Sequence, residues 1–357
     1  MAPLNYAIRF WIKASALAVL MAGGLLLLTV FVIGLIGWHK FSAVAKQAQI
    51  SPTALLDQIK SGWHTSPKSQ SNQTNFLILG TDELTSRGDV PPLTDTMLLV
   101  SLNLKSGKIN LLPLPRDLWS SEYQTKLNAL YSYGEDHTPG HPEFFVAQTV
   151  SALTQMPINY TVVISMNQVK QLIDILGGVK IDVPEAFVDE QFPRSDVDIS
   201  QVFDPEQLYE TVEFKTGEQV MSGETALKYM RSRHSQSEQG SDTDRSLRQQ
   251  LVFKSIIDQF LDTKSWINTV SVGQLLVIYQ NDLAKYLPLP DAVGLGKQLW
   301  SVRQHIAISF HSLSIAPEDP SGVIFHPAEY LYQNQWVWAI KSPAQFQEEI
   351  SSLLEIK

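Results

Sequence analysis

Short apolar runs separated by helical stripes dominate the pattern from about residue 75 onward. Four runs have the length and composition of buried strands, and a fifth follows a predicted helix. That helix is expected to end at Gly177-Gly178, and a hairpin loop is expected between the second and third runs. The runs are 76–80, 96–102, 108–114, 160–165 and 179–183. Strands alternating with helices predict a layered α/β domain.

Two further helices are predicted toward the middle of the chain. One begins after Ser222 as N-cap and runs to Tyr229. The other covers 245–261, with an apolar stripe made of Leu247, Leu251, Ile256 and Phe260. The polar stretch 185–210 has no clear period and is predicted to be a surface excursion. The last hundred residues are mixed in pattern and are assigned to the same domain.

The N-terminal segment from Ala14 to Trp38 contains no charged residue. As a helix its 25 residues would be about 37 Å long, enough to cross a hydrocarbon core of about 30 Å with some tilt. The alternative is a signal peptide cleaved near Ala43-Val44-Ala45, but the apolar run is longer than a usual signal-peptide core. The length favours an uncleaved anchor. With the N-terminus inside the cell, the rest of the chain would lie outside it.

Four segments are therefore predicted: a cytoplasmic tail at 1–13, a transmembrane helix at 14–38, a stalk at 39–74 and an extracytoplasmic domain at 75–357. In the stalk, Pro52 stands at a position typical of a helix start. The Ser-, Gln- and Asn-rich stretch 61–74 is expected to be a linker.

Composition excludes several kinds of chemistry. The 357 residues include no cysteine, which removes thiol catalysis, disulfides and cysteine metal sites. A formal net charge of −9 argues against a broad nucleic-acid-binding surface, although it does not exclude a local basic pocket. The Gly-x-Ser-x-Gly, His-Glu-x-x-His and Walker A signatures are also missing.

Two carboxylates stand where predicted strands end or begin. Asp82 follows the first strand, and Asp95 directly precedes the second. Adjacent strands would bring both side chains to one edge of the sheet, where they could hold Mg²⁺ together with phosphate oxygens. The alternative is that each Asp caps a turn, which Asp does readily.

Several arginines also lie at the ends of predicted elements, and their planar guanidinium groups suit phosphate oxygens. Two of them open the helix at 245, the end where acids are preferred, and a bound anion would resolve that conflict. The alternative is a solvated basic surface, or ion pairs with Asp242 and Asp244. The arginines are Arg116, Arg231, Arg233, Arg245 and Arg248. Acids and arginines without a nucleophile are typical of phosphoryl transfer, and an anchor adds that the phosphate can belong to a lipid.

Several segments in this order resemble the LytR–CpsA–Psr family across roughly 75–260. They are Phe76-Leu77-Ile78-Leu79-Gly80-Thr81-Asp82, Thr94-Asp95-Thr96-Met97, Leu114-Pro115-Arg116-Asp117, Lys126-Leu127-Asn128-Ala129, Asp174-Ile175-Leu176-Gly177-Gly178-Val179, Val183-Pro184, Gly217-Glu218-Gln219, Ser222-Gly223-Glu224, Arg231-Ser232-Arg233-His234 and Asp242-x-x-Arg245-x-x-Arg248-Gln249-Gln250. Each is weak alone, but together in family order they are a specific signal.

The resemblance implies a three-layer α/β/α sandwich with a central mixed sheet and an apolar channel for a polyprenyl chain. It implies a Mg²⁺-dependent phosphotransferase that moves a glycopolymer from a polyprenyl pyrophosphate to peptidoglycan or another cell-wall acceptor. A polyprenyl-pyrophosphate hydrolase and a non-catalytic envelope regulator or lipid-binding protein are the alternatives. No nucleic acid is expected as a partner.

The resemblance also implies roles for individual residues. Asp82 and Asp95 would be the metal-side carboxylates, Asp242 the base for the acceptor hydroxyl, and Gln249 a polar support. Arg116 and Arg233 would bind the pyrophosphate and act in catalysis. The further pyrophosphate ligands would be Arg231, Arg245 and Arg248. The family usually has an arginine where this chain has Leu93, and Arg87 is the candidate to replace it.

Overall fold

The computed structural model describes residues 34–81, 93–194, 204–232, 242–262, 268–316 and 321–356. The strands are β1 (Gln73–Thr81), β2 (Thr94–Asn103), β3 (Lys108–Leu114), β4 (Trp119–Ser120), β5 (Thr125–Lys126), β6 (Tyr160–Ser165), β7 (Val179–Val183), β8 (Phe187–Pro193), β9 (Tyr209–Phe214), β10 (Gly217–Met221), β11 (Ala307–Phe310), β12 (Ile315–Ala316), β13 (Ile324–Phe325) and β14 (Ala339–Ile340). The helices are α1 (34–47), α2 (Pro52–His64), α3 (Leu130–His137), α4 (Pro142–Thr154), α5 (Met166–Ile175), α6 (Gly223–Arg231), α7 (Asp242–Leu261), α8 (Thr269–Ile278), α9 (Leu289–Ser301) and α10 (Pro343–Leu353).

A mixed sheet with strand order β11-β3-β2-β1-β6 forms the centre of the fold. Strand β2 is antiparallel to β1 and β3, whereas β6 is parallel to β1 and β11 parallel to β3. The predicted strands of this sheet are confirmed, and so is the hairpin loop, which the Asn103 side chain stabilises by accepting hydrogen bonds from Lys105 N and Ser106 N.

Helices cover both faces of the central sheet, as expected for three layers. One face packs Leu77, Leu99 and Leu112 against Val146 of α4 and Phe346 of α10 in a single buried core. On the other face, side chains of β1 and β6 approach α5, α6 and α7. Alternate residues of a strand point to opposite faces of the sheet. Because both faces are covered by helices, both are apolar, and the strands appear in the sequence as continuous hydrophobic runs.

A second core lies beyond the sheet, between α5, α6, α7 and the paired strands β7–β10 and β8–β9. The predicted helix stop is confirmed, because Gly177 and Gly178 have positive φ values of 83° and 98° directly after α5. The predicted N-cap is confirmed as well: the Ser222 hydroxyl accepts a hydrogen bond from Thr225 N at 3.3 Å.

The prediction of a surface excursion over 185–210 is wrong for its described part. Strands β8 and β9 form an antiparallel pair, and Phe187 and Phe192 are buried in the second core. The alternation was hidden because a register irregularity between Asp189 and Phe192 interrupts the period of two.

The stretch 39–74, predicted to be a stalk and linker, packs closely on the domain. Helix α2 lies against α9, so that a Cβ built on Gly62 would come within 2.6 Å of Val293 Cβ. Lys297 Nζ also donates to Trp63 O at 2.8 Å, and β1 begins at the buried Gln73, two residues before the expected boundary. The sequence pattern did not predict this contact, because α9 lies more than 200 residues away from α2 along the chain.

The predicted membrane helix lies mostly outside the described residues, which include only its last five positions as part of α1. Within the described ranges, none of the helices combines the length and the apolar character that crossing a membrane requires.

Candidate active site

Asp95 lies at an irregularity in the pairing of β1 with β2. The β1–β2 pairing passes from Gly80↔Thr96 to Thr81↔Thr94, so Asp95 is the extra residue of a β-bulge. Bulges re-aim side chains and are common beside active sites. The β2–β3 register pairs Met97 with Leu114, and continuing it by two residues places Asp95 opposite Arg116.

Arg116 joins two carboxylates in a compact ion network. Its Nη1 donates to Asp95 Oδ1 at 3.0 Å, and its Nε donates to Asp117 Oδ2 at 3.1 Å. Lys126 Nζ donates to the other oxygen of Asp117 at 2.8 Å. All four side chains are at most 23% exposed, so water screens these pairs less than it would at an open surface.

The segment following Lys126 fixes the backbone of this network. Leu127 N donates to Leu118 O, and Asn128 N donates to Arg116 O. The Thr94 hydroxyl donates to Asn128 O, which ties the bulge to the same segment. The Lys126-Leu127-Asn128-Ala129 motif therefore holds both strand ends at the site.

The ion network forms part of the wall of a cavity of about 240 Å³, here called the main cavity. Two arginines from different elements, Arg116 and Arg245, both line it. Its polar lining residues include Asp95, Arg116, Asp117, Arg245, Gln249, Gln250 and Ser312. Its apolar lining residues include Met97, Leu114, Leu247, Leu313, Ile315, Ile324 and Trp338. The cavity thus combines a charged part with apolar walls.

A narrow inner cavity of about 10 Å³ lies between the central sheet and helices α5, α6 and α7. It shares Thr96 and Gln249 with the main cavity, and its other walls are apolar apart from the backbone. A space of this volume holds about one water-sized group. The long apolar channel implied by the resemblance is therefore not formed by the inner cavity in this conformation.

Arg248, predicted to bind pyrophosphate, lies in the second core and not on the main cavity. Its side chain is only 2% exposed, and its guanidinium lies 4.8 Å from the ring centroid of Phe187. Nε donates to Tyr229 O at 3.0 Å and Nη2 donates to Ser232 O at 2.5 Å. Burial lowers the pKa of Arg248, since a low-dielectric surrounding disfavours the charged form. The structure thus gives it a packing role at the C-terminal end of α6.

Helix α7 begins at Asp242, three residues earlier than predicted, so Arg245 is its fourth residue and Arg248 its seventh. The anion expected at the start of this helix stays a prediction.

The remaining predicted residues divide into those near the site and those outside the described ranges. Arg231 ends α6, with its guanidinium 5.8 Å from the Phe192 ring centroid, and does not line the main cavity. Asp82, Arg87, Arg233 and the side chain of Asp242 lie outside the described part of the structure. Of the predicted set, the structure brings together Asp95, Arg116, Arg245 and Gln249.

Sequence reasoning missed three contributors to this site. Asp117 and Lys126 lie inside motifs that were recognised, yet neither was assigned a role. The C-terminal wall with Leu313 and Trp338 gave no signal, because these residues lie in irregular segments beside short strands, far along the chain.

A Mg²⁺ ion can be tested against the residues that are present. Within the described ranges there is no group of three or more metal-ligand side chains. Mg²⁺ in phosphate sites needs only one or two carboxylates, with phosphate oxygens and water completing its octahedron. Asp95 and Asp117 lining one cavity fit that requirement.

Fold and cavity together define an α/β protein with an amphipathic cavity at the edge of a mixed sheet. The sequence model of the LytR_cpsA_psr family matches residues 39–340, most of the chain, and the protein belongs to that family. The match also begins within the stretch expected to be a stalk, in agreement with the packing of α2.

Named relatives agree with this assignment. The chain is 31% identical over 192 residues to the polyisoprenyl-teichoic acid–peptidoglycan teichoic acid transferase TagV of Bacillus subtilis (strain 168), covering 52% of this chain and 43% of TagV. It is 25% identical over 330 residues to TagT, a transferase of the same description from that strain, covering 89% of each. The crystal structure of B. subtilis TagV matches with a TM-score of 0.55 and 20% identity, over 81% of this chain and all of that one, which supports the fold.

Proposed function

We propose that this protein is a glycopolymer phosphotransferase that moves a glycan from a polyprenyl-pyrophosphate carrier to a cell-wall acceptor such as peptidoglycan. One observation carries the proposal: Asp95, Arg116 and Arg245 converge on a single cavity that also has apolar walls. A pyrophosphate linked to a prenyl chain is likewise charged at one end and apolar at the other, so it matches the charged and apolar walls of this cavity. The relatives named as teichoic acid transferases supply the acceptor class.

Charge balance supports a divalent cation as part of the proposal. Two aspartates and two arginines line the main cavity, and Lys126 pairs with one of the aspartates, so the formal charge of these five groups is +1. A doubly negative pyrophosphate would then leave one negative charge uncompensated in a partly desolvated space. Mg²⁺ held by Asp95 and Asp117, with Asp82 as a further candidate, would supply that compensation. Arg87 and Arg233 are candidates for additional head-group contacts.

In the proposed reaction, the acceptor hydroxyl oxygen attacks the glycan-side phosphorus. A new P–O bond forms, and the bond to the bridging oxygen breaks, so polyprenyl phosphate leaves. The acceptor proton passes to a base, for which Asp242 is the candidate. Arg116, locked between Asp95 and Asp117, would offer charge in a fixed orientation, which costs little reorganisation during the reaction.

The proposal includes a membrane location. The uncharged segment 14–38 would anchor the chain by a single pass, and the domain would lie outside the cytoplasm, where peptidoglycan is. The lipid carrier would reach the cavity from the same bilayer.

The test uses the full chain in detergent, with a labelled polyprenyl-pyrophosphate-linked glycan and purified peptidoglycan. We expect label to join the wall only when protein and acceptor are both present, and a chelator to abolish joining until Mg²⁺ is restored. Arg116→Lys should reduce transfer roughly tenfold or more, because charge-assisted hydrogen bonds are worth about 1.5–3 kcal/mol each. Arg303→Lys, on an exposed arginine outside the cavity, is the matched control.

Three results would contradict the proposal. Phosphate release that ignores the acceptor, with no glycan joined to the wall, would identify a hydrolase. Unchanged transfer in Arg116→Lys would show that the reaction does not take place in the main cavity. Transfer that continues in the presence of the chelator would show that Mg²⁺ is not required.

A further inference from the structure

A group of aromatic side chains extends from the main cavity to the surface, and none of them takes part in the reaction described above. Trp338 lines the cavity, and its ring centroid is 5.3 Å from that of Trp336, which is 38% exposed. His326 lies 4.8 Å from Trp336 and 6.3 Å from Trp338 between ring centroids. Trp336, Trp338 and His326 are here called the aromatic platform.

Main-chain hydrogen bonds attach this platform to the ion network. Trp338 N donates to Asp117 O at 3.0 Å, and Trp119 N donates to Trp338 O at 2.8 Å. Val337 between the two tryptophans is fully buried, so alternation along an extended segment places both indoles on the other side. The ring of His326 is held by the contact of its Nδ1 with Val337 O at 2.9 Å. The platform is therefore fixed beside the cavity wall to which Trp338 belongs.

We propose that the aromatic platform binds a pyranose ring of a saccharide chain beside the reacting phosphate. The faces of aromatic rings are electron-rich and attract the weakly positive C–H groups on one side of a pyranose. Gln250 and Ser312, which line the same cavity as Trp338, offer hydrogen bonds to sugar hydroxyls. This inference rests on the proposed function and names the place of the sugar within it.

A bilayer surface is the other partner that exposed tryptophans could contact. The surroundings of the platform favour the sugar. The sequence from 321 to 340, which carries all three rings, contains no Lys or Arg and one acidic residue, Glu329. Surface binding to anionic lipid head groups depends on basic residues, which this segment does not provide.

Isothermal titration of the full chain in detergent with tri-N-acetylchitotriose and with maltotriose tests the inference without turnover. Trp336→Ala should weaken binding of whichever trisaccharide binds by roughly fivefold or more, as expected for loss of one aromatic contact. Trp336→Phe, which keeps a ring, should restore most of the affinity. Trp300→Ala, on a tryptophan that is 65% exposed on α9, is the matched control and should bind normally.

Thermal unfolding first establishes that each variant is folded. The inference is overturned if the unmodified protein binds neither sugar, or if folded Trp336→Ala binds as well as the parent. It is also overturned if that variant loses only its binding to phosphatidylglycerol vesicles.

The transfer assay then shows which substrate carries the sugar ring. A raised KM of Trp336→Ala for the lipid-linked glycan would assign the ring to the donor, and a raised KM for peptidoglycan would assign it to the acceptor. Sugar binding through Trp336 without any transfer would refute the transferase and leave this inference standing.

Discussion

At the residue scale, two arginines three positions apart on one helix lie in different environments. Arg245 lines the main cavity, whereas Arg248 is buried in the second core and bonded to backbone carbonyls of Tyr229 and Ser232. A rotation of about 300° separates positions i and i+3 on a helix, so neighbours of this spacing share an edge but not an identical surrounding. A sequence motif gives the residue types and their spacing, but it does not predict which of two nearby arginines lines a cavity and which is buried.

Replacing Arg248 by Met should destabilise the protein, because it leaves two buried carbonyls without their donor. We expect the free energy of unfolding to fall by about 2–4 kcal/mol, the range for loss of charge-assisted hydrogen bonds partly offset by removal of a buried charge. Chemical denaturation measures this. Arg303→Met, at an exposed arginine, should be nearly neutral. An unchanged stability for Arg248→Met would mean that its buried contacts are not structural.

At the element scale, the predicted apolar stripe of helix α7 is confirmed in part. Leu251 and Ile256 pack against the second core, whereas Leu247 and Phe260 are 51% and 48% exposed. The fully buried positions are Arg248, Val252 and Ser255. The Ser255 hydroxyl bonds to Lys180 O and the Gln259 amide to Leu176 O, so polar partners across the second core replaced apolar contacts. The apolar side chain of Leu247 lines the main cavity instead of packing in the second core.

Replacing Leu247 by Gln should separate ligand binding from stability. Because the side chain is already half exposed, the melting temperature should change little. Affinity for octaprenyl pyrophosphate should fall roughly fivefold or more, through loss of apolar contact worth about 1–2 kcal/mol. Phe260→Gln, on the same helix but away from both cavities, should bind normally. Equal affinities for the two variants would argue against a lipid tail at Leu247.

The contact of α2 with α9 can be tested with two glycines of contrasting surroundings. A Cβ at Gly62 would meet Val293 Cβ at 2.6 Å and Pro290 O at 2.7 Å, whereas at Gly296 it would meet nothing within 4 Å. Gly62→Ala should therefore destabilise by about 1–3 kcal/mol through overpacking. Gly296→Ala should stabilise by about 0.5–1 kcal/mol through helix propensity. Chemical denaturation of both variants measures the difference, and a neutral Gly62→Ala would make α2 a detached stalk after all.

At the scale of the whole molecule, Tyr160 joins distant segments, and together with two partly buried tyrosines it makes stability depend on high pH. Tyr160 of β6 donates to Asp291 Oδ2 on α9 at 3.0 Å and accepts from Lys68 N at 3.0 Å. Burial raises the pKa of Tyr160 to about 12, and the same cause raises the pKa of Tyr279 and of Tyr286 to about 12.

The sign of the effect follows from proton binding. Between about pH 10 and pH 12 the folded state keeps phenol protons that the unfolded chain releases, so the free energy of unfolding should fall as the pH rises through this window. Denaturant titrations at several pH values measure the decline. Tyr160→Phe should be less stable near neutral pH, having lost two hydrogen bonds, yet decline less steeply. Tyr330→Phe, at a tyrosine that is 75% exposed, should follow the parent curve. Parallel curves for Tyr160→Phe and the parent would contradict this account.

Local patterns along the chain determined much of this protein. Strand runs, the Ser222 cap and the Gly177-Gly178 stop were readable, because burial on a pleated sheet and satisfaction of helix ends act over a few residues. The strand pattern placed Asp95 and Arg116 at strand ends, and the alternation of strands with helices predicted the α/β class. The family motifs added the three-layer arrangement and assigned both residues to one site.

Only the tertiary structure decided which groups share a surface. The bulge that directs Asp95, the placing of Arg245 on the cavity and Arg248 in a core, and the contact of α2 with α9 all depend on partners far away in sequence. Trp338 lines the main cavity for the same reason. Residue type and spacing set what a side chain can do, but packing between distant segments sets what it meets.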